Sequence, residues 1–171
     1  MVIKEGRSSS FPVPRASSSA GEKEFDMSSA RVLVVEDFAP FRQFTCSLLA
    51  KRQHLQVICE VADGLEAVQK AEELQPDLIL LDIGLPTLNG IAAARQIRKI
   101  APESKIIFVT QESSAGVVQE ALSTGAQGYV VKARAGADLL AAVEAVLEGR
   151  QFVSCGLQIP PAPPKRPPCV S

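Results

Sequence analysis

Five short apolar runs, each followed by a stretch with helical spacing, restrict this 171-residue chain to very few architectures. The runs are 31–35, 57–61, 78–81, 105–109 and 128–131. They are continuous rather than alternating, the pattern of strands covered on both faces in a parallel sheet. After the first run, Phe41, Phe44, Thr45 and Leu48 fall at helical spacing, with Pro40 suited to the first turn. Asp63 suits an N-cap ahead of the stripe Ala67, Val68, Ala71 and Leu74. Residues 89–100 form a third helical stretch, stopped near Pro102. Ser113 or Ser114 can cap a fourth, with the face Val117, Val118, Ala121 and Leu122 and a stop at Gly125. Leu139, Leu140, Val143, Val146 and Leu147 mark a fifth before Gly149. Five such βα units predict an α/β fold: a doubly wound five-stranded parallel sheet with helices on both faces and right-handed crossovers.

Polar residues stand where these strands end. Glu36-Asp37 follows the first, Asp82 the third, Thr110 the fourth and Lys132 the fifth. Open α/β sheets build their sites at the carboxyl ends of strands. If the first and third strands are neighbours, Glu36, Asp37 and Asp82 share one pocket. Carboxylates crowded in this way need a counter-charge, so the pocket implies a hard divalent cation, a lysine, or both. The set can hold a phosphoryl group and lacks what a nucleotide requires.

Composition narrows the function further. Lys+Arg 18 against Asp+Glu 19 gives a formal net charge of −1, which points away from a polyanion partner. One Tyr, one His and no Trp argue against stacking platforms for bases. The apolar runs are too short to span a bilayer. Cys46, Cys59, Cys155 and Cys169 show no C-x-x-C spacing and follow no secretory signal, so reduced thiols in a cytoplasmic protein are expected. Residues 1–29 carry two Ser triplets and no sustained period and read as a disordered leader, with Met27 a candidate true start. Residues 30–153 form the domain, and 154–171 read as a Pro-rich disordered tail.

Over about 31–153 the chain resembles the receiver domains of two-component response regulators. The string Asp82-Ile83-Gly84-Leu85-Pro86-Thr87-Leu88-Asn89-Gly90 resembles the family's phosphorylation loop. Gly125-Ala126-Gln127-Gly128-Tyr129-Val130-Val131-Lys132 resembles its fifth-strand signature, and with Gly149-Arg150-Gln151-Phe152-Val153 it is most similar to the NarL/FixJ branch. The resemblance implies a (βα)5 flavodoxin/CheY-like three-layer sandwich. It implies that Asp82 accepts a phosphoryl group from a histidine kinase or phosphotransfer protein, becoming a 4-aspartylphosphate. Mg²⁺ would be held by Asp37, Asp82 and the Gly84 carbonyl, with Glu36 acting through a water. Lys132 would pair with Asp82 and then with the phosphoryl oxygens, to which Thr110 would donate its hydroxyl. Tyr129 would swing inward as Thr110 moves; the plainer alternative is a half-buried strand aromatic with its hydroxyl in water. Such a protein is a phosphoacceptor module rather than an enzyme with a separate substrate.

Two departures from the family pattern stand out. Ala133 follows Lys132 where many receivers have a cis proline, and a non-proline cis bond costs about 2.5–4 kcal/mol. The large Gln111, with Glu112 beside it, follows Thr110 where a small residue is common. His54 reads as a surface residue without a partner, and Lys165-Arg166 as a basic spot among prolines. A haloacid-dehalogenase-like phosphatase needs a second aspartate where Gly84 stands, and a flavodoxin needs a Ser/Thr/Gly loop where Glu36-Asp37 stands. NarL/FixJ regulators usually continue into a helix-turn-helix domain, and the expectation is that this protein lacks one. The expectation is a stand-alone receiver that signals to an output protein, without direct nucleic-acid or membrane binding. The alternative is the truncated regulatory part of a DNA-binding regulator. Homodimers through the fourth and fifth helices, or the first and fifth, are compatible with either.

Overall fold

The computed structural model describes residues 29–157. The element order is β1 (Ala30–Val35), α1 (Ala39–Leu49), β2 (Leu55–Val61), α2 (Gly64–Leu74), β3 (Leu78–Leu81) and α3 (Gly90–Ile100). There follow β4 (Lys105–Thr110), α4 (Ala115–Ser123), β5 (Gly128–Val131), α5 (Ala135–Leu147) and β6 (Phe152–Val153). All strand pairs are parallel, in the order β2-β1-β3-β4-β5-β6.

The alternation of side chains along each strand divides the core in two. Val32 and Val34 of β1 face one way with Leu78 and Leu80, against Leu48 and Leu49 of α1 and Leu139, Val143 and Val146 of α5. Leu33 and Val35 face the other way with Ile79 and Leu81, against Ala67 and Ala71 of α2, Ile97 of α3 and Val118 of α4. Both faces of the sheet are therefore dry, which is why the strands read as unbroken apolar runs.

Local signals set the helix ends. The Asp63 Oδ1 accepts from the Leu65 and Glu66 amides at 2.8 and 3.2 Å, and the Asn89 Oδ1 accepts from the Ala92 amide at 2.9 Å. Gly125, at φ +97, follows the end of α4 in the left-handed conformation that favours glycine. Ser114 stands at the N-cap of α4, yet its hydroxyl makes no capping bond.

The structure corrects three expectations. The sheet has a sixth strand: β6 pairs with β5, Gly128 opposite Phe152 and Tyr129 opposite Val153. Ser154, placed by the sequence reading in the tail, is 2% exposed; its amide donates to the Tyr129 carbonyl at 2.9 Å and its Oγ accepts from the Val131 amide at 3.2 Å. Phe44 turns outward, 41% exposed, because Thr45, Leu48 and Leu49 occupy the side of α1 that meets the sheet. Among the described residues there is no cis peptide, and Lys132–Arg134 forms a 3₁₀ turn leading directly into α5. The leader through residue 28, with Met27, and residues 158–171, with Cys169 and Lys165-Arg166, lie outside the described residues.

Candidate functional site

The strand order places β1 and β3 side by side, and the chain reverses direction across the sheet at that point, where such folds open a crevice. Glu36, Asp37 and Asp82 meet there, each offering an oxygen within 4.8 Å of the others. Glu36 and Asp82 are buried and Asp37 is exposed. An open cleft of about 740 Å³ is lined by Asp37, Asp82, Gly84, Thr110, Gln111 and Lys132, among others. The residues singled out in the sequence thus share one pocket, with Glu36 directly behind it. Tyr129 lies apart from the cleft, in the core.

Lys132 reaches this cluster from the end of β5. Its Nζ lies 3.1 Å from Asp82 Oδ2 and 2.6 Å from Glu36 Oε2. The second contact was not foreseen, since Glu36 was expected to act through water. The other Glu36 oxygen accepts from the Phe38 amide at 3.0 Å, so both are engaged by protein groups. Burial pushes the Glu36 carboxyl above its ordinary pKa, against the downward pull of Lys132 and the Phe38 amide. Burial also works to depress the Lys132 ammonium, but its bonds to Glu36 and Asp82 outweigh that and hold it above its usual value.

Asp82 has its two oxygens in different settings. Oδ1 accepts from the Ile83 amide at 2.7 Å and from the Gly84 amide at 3.4 Å, while Oδ2 faces Lys132. Thr110, at the end of β4, is 2% exposed, and its Oγ1 lies 3.4 Å from the Glu112 amide, which donates to it. Three carboxylates against one ammonium leave negative charge in excess. With the Gly84 backbone on the same wall, the all-oxygen donor set fits a hard cation such as Mg²⁺.

Tyr129 is fully buried, and its hydroxyl donates to the Glu112 carbonyl at 2.8 Å. The alternative with the hydroxyl in water is overturned. Burial pushes its pKa up to about 12, aided by the charges of Glu112 and Asp82. Its ring lies 6.3 Å from that of Phe108.

Sequence reasoning missed two neighbours of the cluster. Phe41 presents its ring to Lys132, with Nζ 4.8 Å from the centroid, an arrangement that favours the ammonium. Arg42 donates to the Glu36 carbonyl at 2.6 Å. Helical spacing had marked Phe41 only as a core residue, and no motif singled out Arg42. His54, expected to lack a partner, has Nε2 3.0 Å from Glu144 Oε1 on α5. Cys46, Cys59 and Cys155 are free thiols. Among the described residues, no helix is long and apolar enough to cross a membrane.

Comparison with known proteins agrees with this geometry. Residues 32–144 match the response regulator receiver domain family. The transcriptional regulatory protein LnrK of Bacillus subtilis is 33% identical over 131 residues, 77% of this chain and 57% of the relative. The chemotaxis protein CheY of Thermotoga maritima is 39% identical over 102 residues, 60% of this chain and 84% of the relative. A crystal structure of a LuxR-family two-component response regulator from Aurantimonas sp. SI85-9A1 superposes with a TM-score of 0.73 at 34% identity, covering 76% of this chain and 93% of that one. The chain spans little more than half the length of several regulators it matches, such as LnrK at 57% and a Pseudomonas GacA at 58%.

Proposed function

The chain belongs to the response regulator receiver domain family, and on that premise we propose that it accepts a phosphoryl group on Asp82 from a histidine kinase or phosphotransfer protein. The observation that carries this reading is the 3.1 Å ion pair between Lys132 Nζ and Asp82 Oδ2 in an open cleft rimmed by carboxylates. An Asp82 oxygen attacks phosphorus, forming a P–O bond as the P–N bond to the donor imidazole breaks. The imidazole keeps the electron pair and takes up a proton. Lys132 remains beside the transferred group, where its ammonium offsets the added charge, and Thr110 donates its hydroxyl to a phosphoryl oxygen.

Asp37, Asp82 and the Gly84 carbonyl are the residues that would hold Mg²⁺, with Glu36 acting through a water. Bound there, the ion would screen the carboxylates from the incoming phosphate and orient its oxygens. The added charge favours whichever arrangement sets Thr110 and Lys132 against it. Tyr129, bonded to the Glu112 carbonyl two residues after Thr110, would carry that change into the core. A full reversal of a two-state population takes about 5.5 kcal/mol, of which charge-assisted hydrogen bonds supply a part.

We read the output as contact with a partner protein in the cytoplasm, by a phosphoacceptor module rather than an enzyme acting on a separate substrate. The 84% cover of the CheY relative supports this short-receiver reading. The likeness to LnrK and to the LuxR-family regulator supports a second one, the receiver part of a DNA-binding regulator. An in-frame helix-turn-helix coding region downstream would decide for the second.

The test is intact mass after incubation with acetyl phosphate and Mg²⁺. A single phosphoryl adduct on the parent, absent from Asp82→Asn and blocked by EDTA, is the expected result. An adduct that persists in Asp82→Asn, or none on a folded parent given both acetyl phosphate and a panel of phosphorylated kinases, sinks the reading.

A further inference from the structure

Two glycines leave no room for a side chain against the backbone of the segment that follows Asp82. A Cβ on Gly90 would fall 2.0 Å from the Asp82 carbonyl oxygen and 2.8 Å from Ile83 Cα. Gly90 opens the helix that this segment leads into, so its closeness is local. Gly64 is different: it opens α2 and is reached from β2. A Cβ there would fall 1.8 Å from the Leu88 carbonyl oxygen, far inside any tolerable contact. The backbone of α2 thus rests directly on the backbone of the Asp82–Gly90 loop.

The loop is held in an unusual shape at the same point. Thr87, next to Leu88, has φ +64, a left-handed conformation that a β-branched residue keeps only where its surroundings enforce it. Asp63 precedes Gly64 and caps α2 through Oδ1. Thr87 is also the main influence that holds the Asp63 carboxyl below its ordinary pKa, ahead of the capping amides. Inside the loop, the Leu85 and Gly90 amides both donate to the Ile83 carbonyl, at 2.9 and 2.8 Å. Ile83 and Gly84 are the residues whose amides hold Asp82 Oδ1.

We propose that the Asp63-Gly64 turn is a brace that sets the position of the Asp82 loop, with Gly64 and Asp63 as positioning residues for phosphoryl transfer. The functional half of this statement rests on the phosphoacceptor reading above. Contact with Leu88 fixes one end of the loop, and the Ile83 carbonyl passes that constraint to the amides under Asp82. Misplacing a reacting group by an ångström is enough to slow a reaction on the order of a hundredfold.

The experiment compares Gly64→Ala, Asp63→Ala and Asp63→Asn with the parent. It reads the rate of adduct formation from acetyl phosphate across a Mg²⁺ series, together with amide exchange at Leu88 and Gly90. Asp63→Asn keeps an acceptor for the cap. Gly116→Ala, on α4 with nothing near its added Cβ, is the control for glycine replacement as such. Gly64→Ala and Asp63→Ala should slow the adduct by about ten- to a hundredfold per folded molecule and raise the half-saturating Mg²⁺. Asp63→Asn should restore the rate, and Gly116→Ala should leave it unchanged. Should Gly64→Ala not fold, the two Asp63 variants decide alone. Parental rates per folded molecule in Asp63→Ala, or no rescue by Asp63→Asn, overturn the proposal. If the folded parent takes no adduct from acetyl phosphate or from the panel of phosphorylated kinases, the phosphoacceptor reading has failed, and amide exchange alone judges the brace: faster exchange at Leu88 and Gly90 in Asp63→Ala supports it, and unchanged exchange overturns it.

Discussion

Lys132 lies closer to Glu36 than to Asp82, with Nζ 2.6 Å from the former and 3.1 Å from the latter. The ammonium is the counter-charge of two nearly buried carboxylates and ties the end of β5 to the ends of β1 and β3. Lys132→Met leaves both carboxylates without it. Breaking a buried pair from one side costs about 3–5 kcal/mol, and we expect a loss of that size in urea unfolding with EDTA present. Added Mg²⁺ should recover more stability in the variant than in the parent. A loss below about 1 kcal/mol would show that water already compensates the pair.

Tyr129 offers a direct optical test, because the chain has one Tyr and no Trp. Tyrosinate absorbance should titrate near 10 in the unfolded chain and at about 12 in the folded one. A pKa raised by folding means that the folded state holds the proton more tightly. Its contribution to stability is complete below pH 10 and is lost as pH rises from there through about 12. A folded-state midpoint near 10 would place the hydroxyl in water.

Ser154→Ala removes the acceptor of the Val131 amide on the inner side of β6. An orphaned buried donor costs about 1–3 kcal/mol. We expect a loss in that range by chemical denaturation, with faster exchange at Val131 and little change at Val35, in the middle of the sheet. Unchanged exchange at Val131 would refute the assignment.

Gln111 and Glu112 line the cleft and are exposed. Gln111→Ala should change the rate of phosphorylation or of acyl-phosphate loss by about threefold or more, equal to about 0.65 kcal/mol in a barrier. If both rates stay within error of the parent, Gln111 does not screen the site.

The sequence made the strands legible because each is buried on both faces, and the strand ends then located Asp37, Asp82, Thr110 and Lys132 without any contact being known. Asp63 was legible as a cap because a cap depends on residues two or three positions away, whereas Asn89, read as the first residue of its helix, is the cap before it. The Glu36–Lys132 bond was not, since it depends on side-chain reach between the ends of two distant strands. Phe44 shows a related limit: helical spacing defines a stripe, yet which flank of the stripe meets the sheet is decided by packing. β6 is two residues long, too short for any period, and the His54–Glu144 contact joins segments that no local pattern relates. The brace on the Asp82 loop was hidden for a further reason. A glycine at a helix start reads as a neutral residue until its backbone neighbour is seen.

The added strand changes what the two rims of the sheet can do. A bare rim is a row of unpaired amides and carbonyls on which another chain can extend the sheet. On the β5 side, β6 covers Gly128 and Tyr129 and the Ser154 hydroxyl takes the Val131 amide, so that rim ends in a stub of two residues. The opposite rim is β2, seven residues long, with Gln56 and Glu60 exposed along it. Two copies meeting beside β5 would therefore have to recognise each other through side chains, and growth by strand addition is left to the β2 rim, where the Glu60 carboxylate lies 3.5 Å from Arg42 Nε.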